Sequence, residues 1–147
     1  MVYEEINKDL FEYIGEDVKF VQCVSADLAM GAGIAVHFNK HFDTKNKAIA
    51  KYGEKPLRDW DSCFPAQCID VDEVFCLVTK RNYWNKPTKQ TMAQALMGLK
   101  SCCGGRCKHL VMPRIGAGLD KLPWKETREQ IKNMFDDTDI HITVCVR

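Results

Sequence analysis

The stretch "PRIGAGLDKLPW", residues 113–124, decides how this chain reads. It follows the apolar run "HLVM" and sets Gly116 and Gly118 one residue apart, with Asp120 close behind and Pro123 after it. An apolar run of strand length, a glycine turn and a proline suited to the first turn of a helix make a strand–loop–helix unit. In open α/β sheets such turns lie beyond the carboxyl ends of the strands, where ligands bind and free N–H groups at helix starts attract phosphate.

The same grammar recurs along the chain. "KFVQCVS" (19–25), "QCIDV" (67–71), "EVFCLVT" (73–79), "HLVMPRI" (109–115) and "DIHITVCV" (139–146) are rich in β-branched and apolar residues, and a short strand is expected near Val2 to Ile6. Helical patterns alternate with them. Thr88 can cap a helix whose Met92, Ala95, Leu96 and Leu99 share one face, and Pro123 can open another carrying Ile131, Met134 and Phe135. Ile34 to Phe42 and Lys45 to Tyr52 are two further candidates. Strands alternating with helices predict an α/β architecture with a largely parallel or mixed sheet.

A second glycine loop, "DLAMGAGIA" (27–35), follows "KFVQCVS" and precedes the helix beginning near Ile34. Two such loops on one sheet edge suit a diphosphate joined to sugars, because glycine lets backbone amides approach a ligand and permits the positive φ of an anion nest. Neither loop matches G-x-G-x-x-G and no G-K-[ST] follows, so the dinucleotide-hydride and P-loop signatures are not met. "KRNYWNKPT" converges on the same edge: Lys86 precedes Pro87, which biases it to an extended conformation just before the helix that Thr88 caps. Tyr83 and Trp84 in that polar loop can stack on a ribose or line the mouth of a site, and Trp124 can brace the Gly116–Gly118 loop or join the core.

Composition bounds these readings. With 147 residues, 46% of them apolar, the chain suits one domain, 1–147. Its 21 basic and 20 acidic side chains give no overall field to gather a polyanion. The basic segment from Lys45 to Arg58 reads as a solvated face. No run approaches a membrane span and the start lacks a secretory signal, so the expected location is cytoplasmic, with nuclear entry by diffusion. Eight cysteines are present, and those within strand-like runs, Cys23, Cys68, Cys76 and Cys145, are expected to be free thiols. "CCGGRCKH" has zinc-ligand types in Cys102, Cys103, Cys107 and His109, but lacks the C-x₂-C knuckle. His37 and His41 share a helical face without a third ligand nearby, so no metal is expected.

"SADLAMGAGIAVHF", "TKRNYWNKPT" and "MPRIGAGLDKLPW" resemble, in order and spacing, segments of macrodomains of the terminal ADP-ribose protein glycohydrolase branch. The resemblance runs from "INKDLFEY" to "TDIHITVCV". It implies a three-layer α/β/α macrodomain with a central mixed, largely parallel sheet, and an ADP-ribosyl hydrolase acting on modified carboxylate side chains without a cofactor. By resemblance, Asp9 and Leu10 contact the adenosine side, and Ser25 with the Gly31 to Gly33 loop meets the diphosphate and distal ribose. Arg114, Ile115, Gly116, Ala117, Gly118 and Leu119 form the phosphate loop. Lys86 is the implied nucleophile and Asp120 the general acid/base.

That chemistry is sensible, since an ester at the anomeric carbon hides an aldehyde that an amine can capture as an imine, with the carboxylate moving the protons. Read from the residues alone, Asp120 can instead favour the start of the following helix. Two departures bear on the adenosine edge: Lys8 stands where relatives often have glycine, and Arg147 replaces a usually apolar residue that can flank the adenine. The implied partners are ADP-ribose and ADP-ribosylated proteins, with nucleic-acid-linked ADP-ribose left open, no membrane, and a monomer. An ADP-ribose 1″-phosphate phosphatase, suggested by "LPWKET", and a non-catalytic ADP-ribose-binding module are the alternatives.

Overall fold

A computed structural model describes residues 1–53 and 67–147. The strands are β1 (Val2–Ile6), β2 (Lys19–Ser25), β3 (Gln67–Val71), β4 (Val74–Lys80), β5 (His109–Met112) and β6 (His141–Cys145). The helices are α1 (Ile34–Phe42), α2 (Thr44–Tyr52), α3 (Lys89–Cys103) and α4 (Trp124–Phe135), with a 3₁₀ turn at Leu10–Tyr13. One sheet of six strands runs in the order β1-β6-β5-β2-β4-β3. β3 is antiparallel to β4, and the other pairs are parallel. The antiparallel edge follows from chain length, because Asp72 and Glu73 can make a tight reversal but no crossover. Asp72 takes a left-handed φ of 56° there.

Alternate residues of the central strands feed two separate cores. Phe20, Val24, Val74, Cys76 and Val78 face Ala35, Phe38 and Ala48 of α1 and α2. Val21, Phe75, Leu77, Leu110, Met112 and Ile142 face Met92, Leu96 and Leu99 of α3 and Ile131 and Phe135 of α4. The three layers are thus two helix pairs with the sheet between them. Near-continuous apolar runs such as "VFCLV" are what a strand covered on both faces requires.

The helix starts match their residues. Thr88 accepts from the Thr91 N–H at 3.1 Å and Thr91 returns the bond at 2.9 Å, a closed capping box. α4 begins directly after Pro123. β5 stops at Met112, three residues before the expected end, because Pro113 has no N–H to donate and the chain turns away. β6 is likewise shorter than expected, starting at His141 and ending at Cys145, and α2 begins one residue early, at Thr44. The basic segment expected to run to Arg58 is described only as far as α2 and Gly53; the rest lies outside the described residues. The seven described cysteines are free thiols. Among the described residues no helix is long and apolar enough to cross a membrane.

Candidate functional site

The carboxyl ends of β2, β4 and β5 release three loops, and together these wall a cavity of about 690 Å³. Ser25 and the Ala29–Gly33 segment form one wall, Arg114 to Gly116 with Gly118 to Asp120 form another, and Lys80, Tyr83 and Lys86 complete it. The sequence expectation of two glycine loops and the "KRNYWNKPT" loop at one edge is what the fold builds. Ala117 is turned out of the lining, its N–H bonded back to Arg114 O at 3.2 Å.

Asp9, Leu10 and Arg147 lie outside the cavity lining. Asp9 caps the 3₁₀ turn, its Oδ1 accepting from the Phe11 N–H at 3.0 Å, and Leu10 is buried in the core. Arg147 is the exposed last residue.

Lys80 Nζ and Asp120 Oδ1 stand 2.6 Å apart on this cavity wall, with both side chains only 14% exposed. Lys86 was the amine expected beside Asp120. Its Nζ instead donates to the Leu119 carbonyl at 2.7 Å, and its side chain is exposed. Lys80 reaches the aspartate because the β2–β4 register slips: Val24 pairs with Val78 but Ser25 with Lys80. The slip leaves Thr79 as an extra residue and redirects the side chain of Lys80. Asp120 makes no capping bond to α4. Burial, and after it the nearby Asp120 carboxylate, pushes up the thiol of Cys23 in the cavity lining. A lysine that ends a strand pattern carries no composition signal, and a register slip cannot be seen in one sequence; for these reasons sequence reading passed over Lys80.

Asp27 was also missed. Its Oδ1 accepts from Ser25 Oγ at 2.5 Å and from the Ala29 N–H at 3.1 Å, while Oδ2 accepts from the Tyr83 N–H at 2.9 Å. One carboxylate thus ties the end of β2, the first glycine loop and the loop after β4. The loop needs the restraint, because Leu28 and Met30 both sit at left-handed φ, 54° and 46°. Lys45 Nζ to Ala29 O and Asn39 Nδ2 to Met30 O, each 3.3 Å, hold its other side. An Asp two residues after a Ser at a strand end is the usual sign of such a local network, and it was legible.

Tyr83, which lines the cavity, and Trp84 are 63% and 64% exposed and meet edge to face, ring centroids 5.0 Å apart. Trp124 is half-buried against the α3–α4 core, its Nε1 donating to Glu5 Oε2 at 3.3 Å. His37 and His41 are exposed beside Phe11. Among the described residues no cluster of His, Cys, Asp or Glu is arranged to hold a metal ion. Of the "CCGGRCKH" side chains, the Cys103 and Cys107 thiols meet each other, while Cys102 points its thiol at Cys68 O, 3.8 Å away, and His109 stacks on His141 at 4.2 Å.

A mixed six-stranded sheet between helix pairs, with glycine loops enclosing one cavity at its carboxyl edge, is the macrodomain architecture. The Thermus aquaticus DarG macrodomain superposes with a TM-score of 0.77 at 18% identity, covering 99% of both chains. Thermosipho africanus DarTG, solved in complex with ADP-ribose, gives 0.73 at 17% identity over 100% of this chain and 42% of that one. No family model matches the chain. In sequence, the Bos taurus protein named ADP-ribose glycohydrolase OARD1 is 36% identical over 143 residues, 95% of this chain and 88% of its own. The chain belongs to the macrodomain family, in the terminal ADP-ribose glycohydrolase branch.

Proposed function

We propose that this protein is an ADP-ribosyl hydrolase that releases ADP-ribose from modified glutamate and aspartate side chains, with Lys80 as nucleophile and Asp120 as general acid/base. The observation that carries the reading is the 2.6 Å Lys80–Asp120 contact on the wall of the glycine-loop cavity. The glycohydrolase relative and the fold neighbour holding ADP-ribose support the ligand class.

In this reading the glycine loops take the diphosphate, which brings the anomeric carbon of the distal ribose to the lysine. Asp120 accepts a proton from Lys80, and the freed nitrogen lone pair attacks the anomeric carbon. The carbon–oxygen bond to the protein carboxylate breaks, and the carboxylate leaves with the bonding electrons and takes the proton that Asp120 holds. Asp120, ionised again, then takes a proton from water as the water attacks the anomeric carbon, and gives it to the amine as the carbon–nitrogen bond breaks. Lys80 and free ADP-ribose result. The hydrogen bond from Lys86 to Leu119 O, next to Asp120, suits it to holding the loop that aims the carboxylate.

Release of ADP-ribose from a glutamate-modified protein tests the assignment. Lys80→Ala and Asp120→Ala are each expected to lose about 10²- to 10⁴-fold in kcat while still binding ADP-ribose. Lys86→Ala is expected to lose less. If Lys80→Ala kept full turnover and Lys86→Ala were inactive, the nucleophile would move to Lys86. A wild type that binds ADP-ribose but releases none would leave a binding module.

A further inference from the structure

A second cavity, of about 390 Å³, lies against the first, with Thr79, Lys80, Asn82, Asn85 and Lys86 among its walls. Lys80 and Lys86 line both cavities, so these two residues stand at the boundary between them, with Nζ bonded to Asp120 Oδ1 and Leu119 O of the first. None of the described residues lining the second cavity is acidic.

Two details make it a built site rather than a surface dent. Thr79, the extra residue of the register slip, is fully buried, and its hydroxyl has no hydrogen-bond partner. A buried hydroxyl left without a partner costs about 1–3 kcal/mol, and a bound acceptor would offset that. Asn85 is fixed in orientation: its Oδ1 accepts from the Asn82 N–H at 3.0 Å, and the Asn85 N–H donates to Asn82 O at 3.0 Å. With Oδ1 used inside the turn, the Nδ2 donor remains for a ligand. The wall therefore offers a hydroxyl, a fixed amide and two ammonium groups, and its natural complement is a compact oxyanion.

We infer that this second cavity is the leaving-group subsite, which receives the carboxylate of the modified protein side chain as it separates from the ribose. The inference rests on the hydrolase reading above and deepens it. The geometry that places Lys80 against Asp120 on one side gives it a donor-rich chamber on the other. A carboxylate leaving the anomeric carbon next to Lys80 has this chamber as its nearest neutralising environment. Inorganic phosphate shares the oxyanion chemistry, so it is the control.

The test is titration of ADP-ribose-saturated protein with glutarate, and separately with inorganic phosphate, followed by the side-chain amide resonances of Asn82 and Asn85. Glutarate is expected to shift the Asn85 amide. Asn85→Asp keeps the bond to Asn82 and replaces the donor by a negative charge, so it is expected to abolish that response. It should also raise KM for a glutamate-modified protein about tenfold, with the Kd for free ADP-ribose unchanged. Thr79→Val should melt no lower than wild type, because it removes an unpartnered polar atom, yet weaken glutarate about three- to tenfold.

Shifts with phosphate and none with glutarate would overturn the carboxylate assignment, and no shift with either would overturn the subsite. If wild type released no ADP-ribose from glutamate, the hydrolase reading would fall while the glutarate titration still decided whether the chamber binds carboxylates. Normal release with no glutarate response and an unaltered KM in Asn85→Asp would remove the subsite alone.

Discussion

The tripeptide Gly-Ala-Gly occurs twice at the sheet edge, at 31–33 and 116–118, and the two copies do different work. In the second, the first glycine is structural: Gly116 has φ 76°, and a Cβ there would stand 2.8 Å from Met92 Cε and 3.0 Å from Leu122 Cδ1. In the first, it is the last glycine, Gly33, that takes the left-handed turn at φ 63°, with Leu119 Cδ1 3.2 Å from a Cβ. The remaining members, Gly31 and Gly118, have neither positive φ nor a close neighbour. Each loop thus spends one glycine on its own backbone and leaves one facing open cavity. The supports differ too. The first loop is held by side chains, its own Asp27 at the start and Asn39 and Lys45 from the helices behind it. The second closes mostly on itself, through Leu122 N to Gly116 O at 2.7 Å and Lys121 N to Gly118 O at 3.2 Å.

Gly116→Ala is the hardest blow to this contrast. It combines a left-handed residue with a clash against the α3 core, and is expected to cost about 3 kcal/mol, read as a shift of the urea midpoint. A variant of wild-type stability would mean that Met92 and Leu122 yield, and that the second loop's glycine is not structural. Next in size is Asp27→Ala. It leaves the left-handed Leu28 and Met30 without their anchor and frees the Tyr83 N–H, at an expected cost of about 2 kcal/mol. ADP-ribose affinity should fall with it, whereas Asp27→Asn, which retains an acceptor for Ala29, should recover part of both. Equal loss in Ala and Asn variants would show that the carboxylate serves something other than the loop.

The different legibility of the two loops has the same origin. Strand and helix patterns, the Thr88 cap and the glycine loops are local, and periodicity with turn chemistry located them. Even the end of β5 was marked by Pro113, although it was read three residues too far. What the sequence concealed depends on pairing between distant residues. Lys80 reaches Asp120 through a slip between β2 and β4, and nothing in "LVTKRN" marks Thr79 as the residue left over. Lys86 drew attention by standing before Pro87, a local feature, yet the fold sets it on a backbone carbonyl. Asp27 stood in plain view, but its tie to Tyr83 spans 56 positions.

A pH experiment separates the supports of the second loop from those of the first. The helix it feeds, α4, is moored to β1 by Glu5, whose Oε2 accepts from Trp124 Nε1 at 3.3 Å, Arg128 at 3.2 Å and the Tyr3 hydroxyl at 2.7 Å. Burial alone would raise the Glu5 carboxyl, but the hydrogen bonds from Tyr3, Arg128 and Trp124 outweigh it and hold the group below its ordinary 4.5. A carboxyl depressed in the folded state contributes stability above its unfolded value, lost as pH falls through the folded one. Glu5→Gln is therefore expected to lower stability by about 1 kcal/mol at pH 7 and to flatten the decline below pH 4.5. Parallel stability–pH curves for variant and wild type would exclude Glu5 as the mooring.

Gly118→Ala is the smallest perturbation to the fold and the sharpest to the comparison. A Cβ at 118 meets nothing within 4 Å and the backbone has no left-handed φ, so the added methyl should leave stability within about 0.5 kcal/mol of wild type. Its effect belongs to the ligand: Gly118 is exposed on the cavity wall, where backbone can approach a diphosphate only while no side chain intervenes. Calorimetric titration should therefore show ADP-ribose bound about tenfold more weakly, a loss of about 1.4 kcal/mol, by a protein with an unchanged melting temperature. If affinity held as well, the open space above Gly118 would not be ligand space, and the two loops would differ only in how they turn.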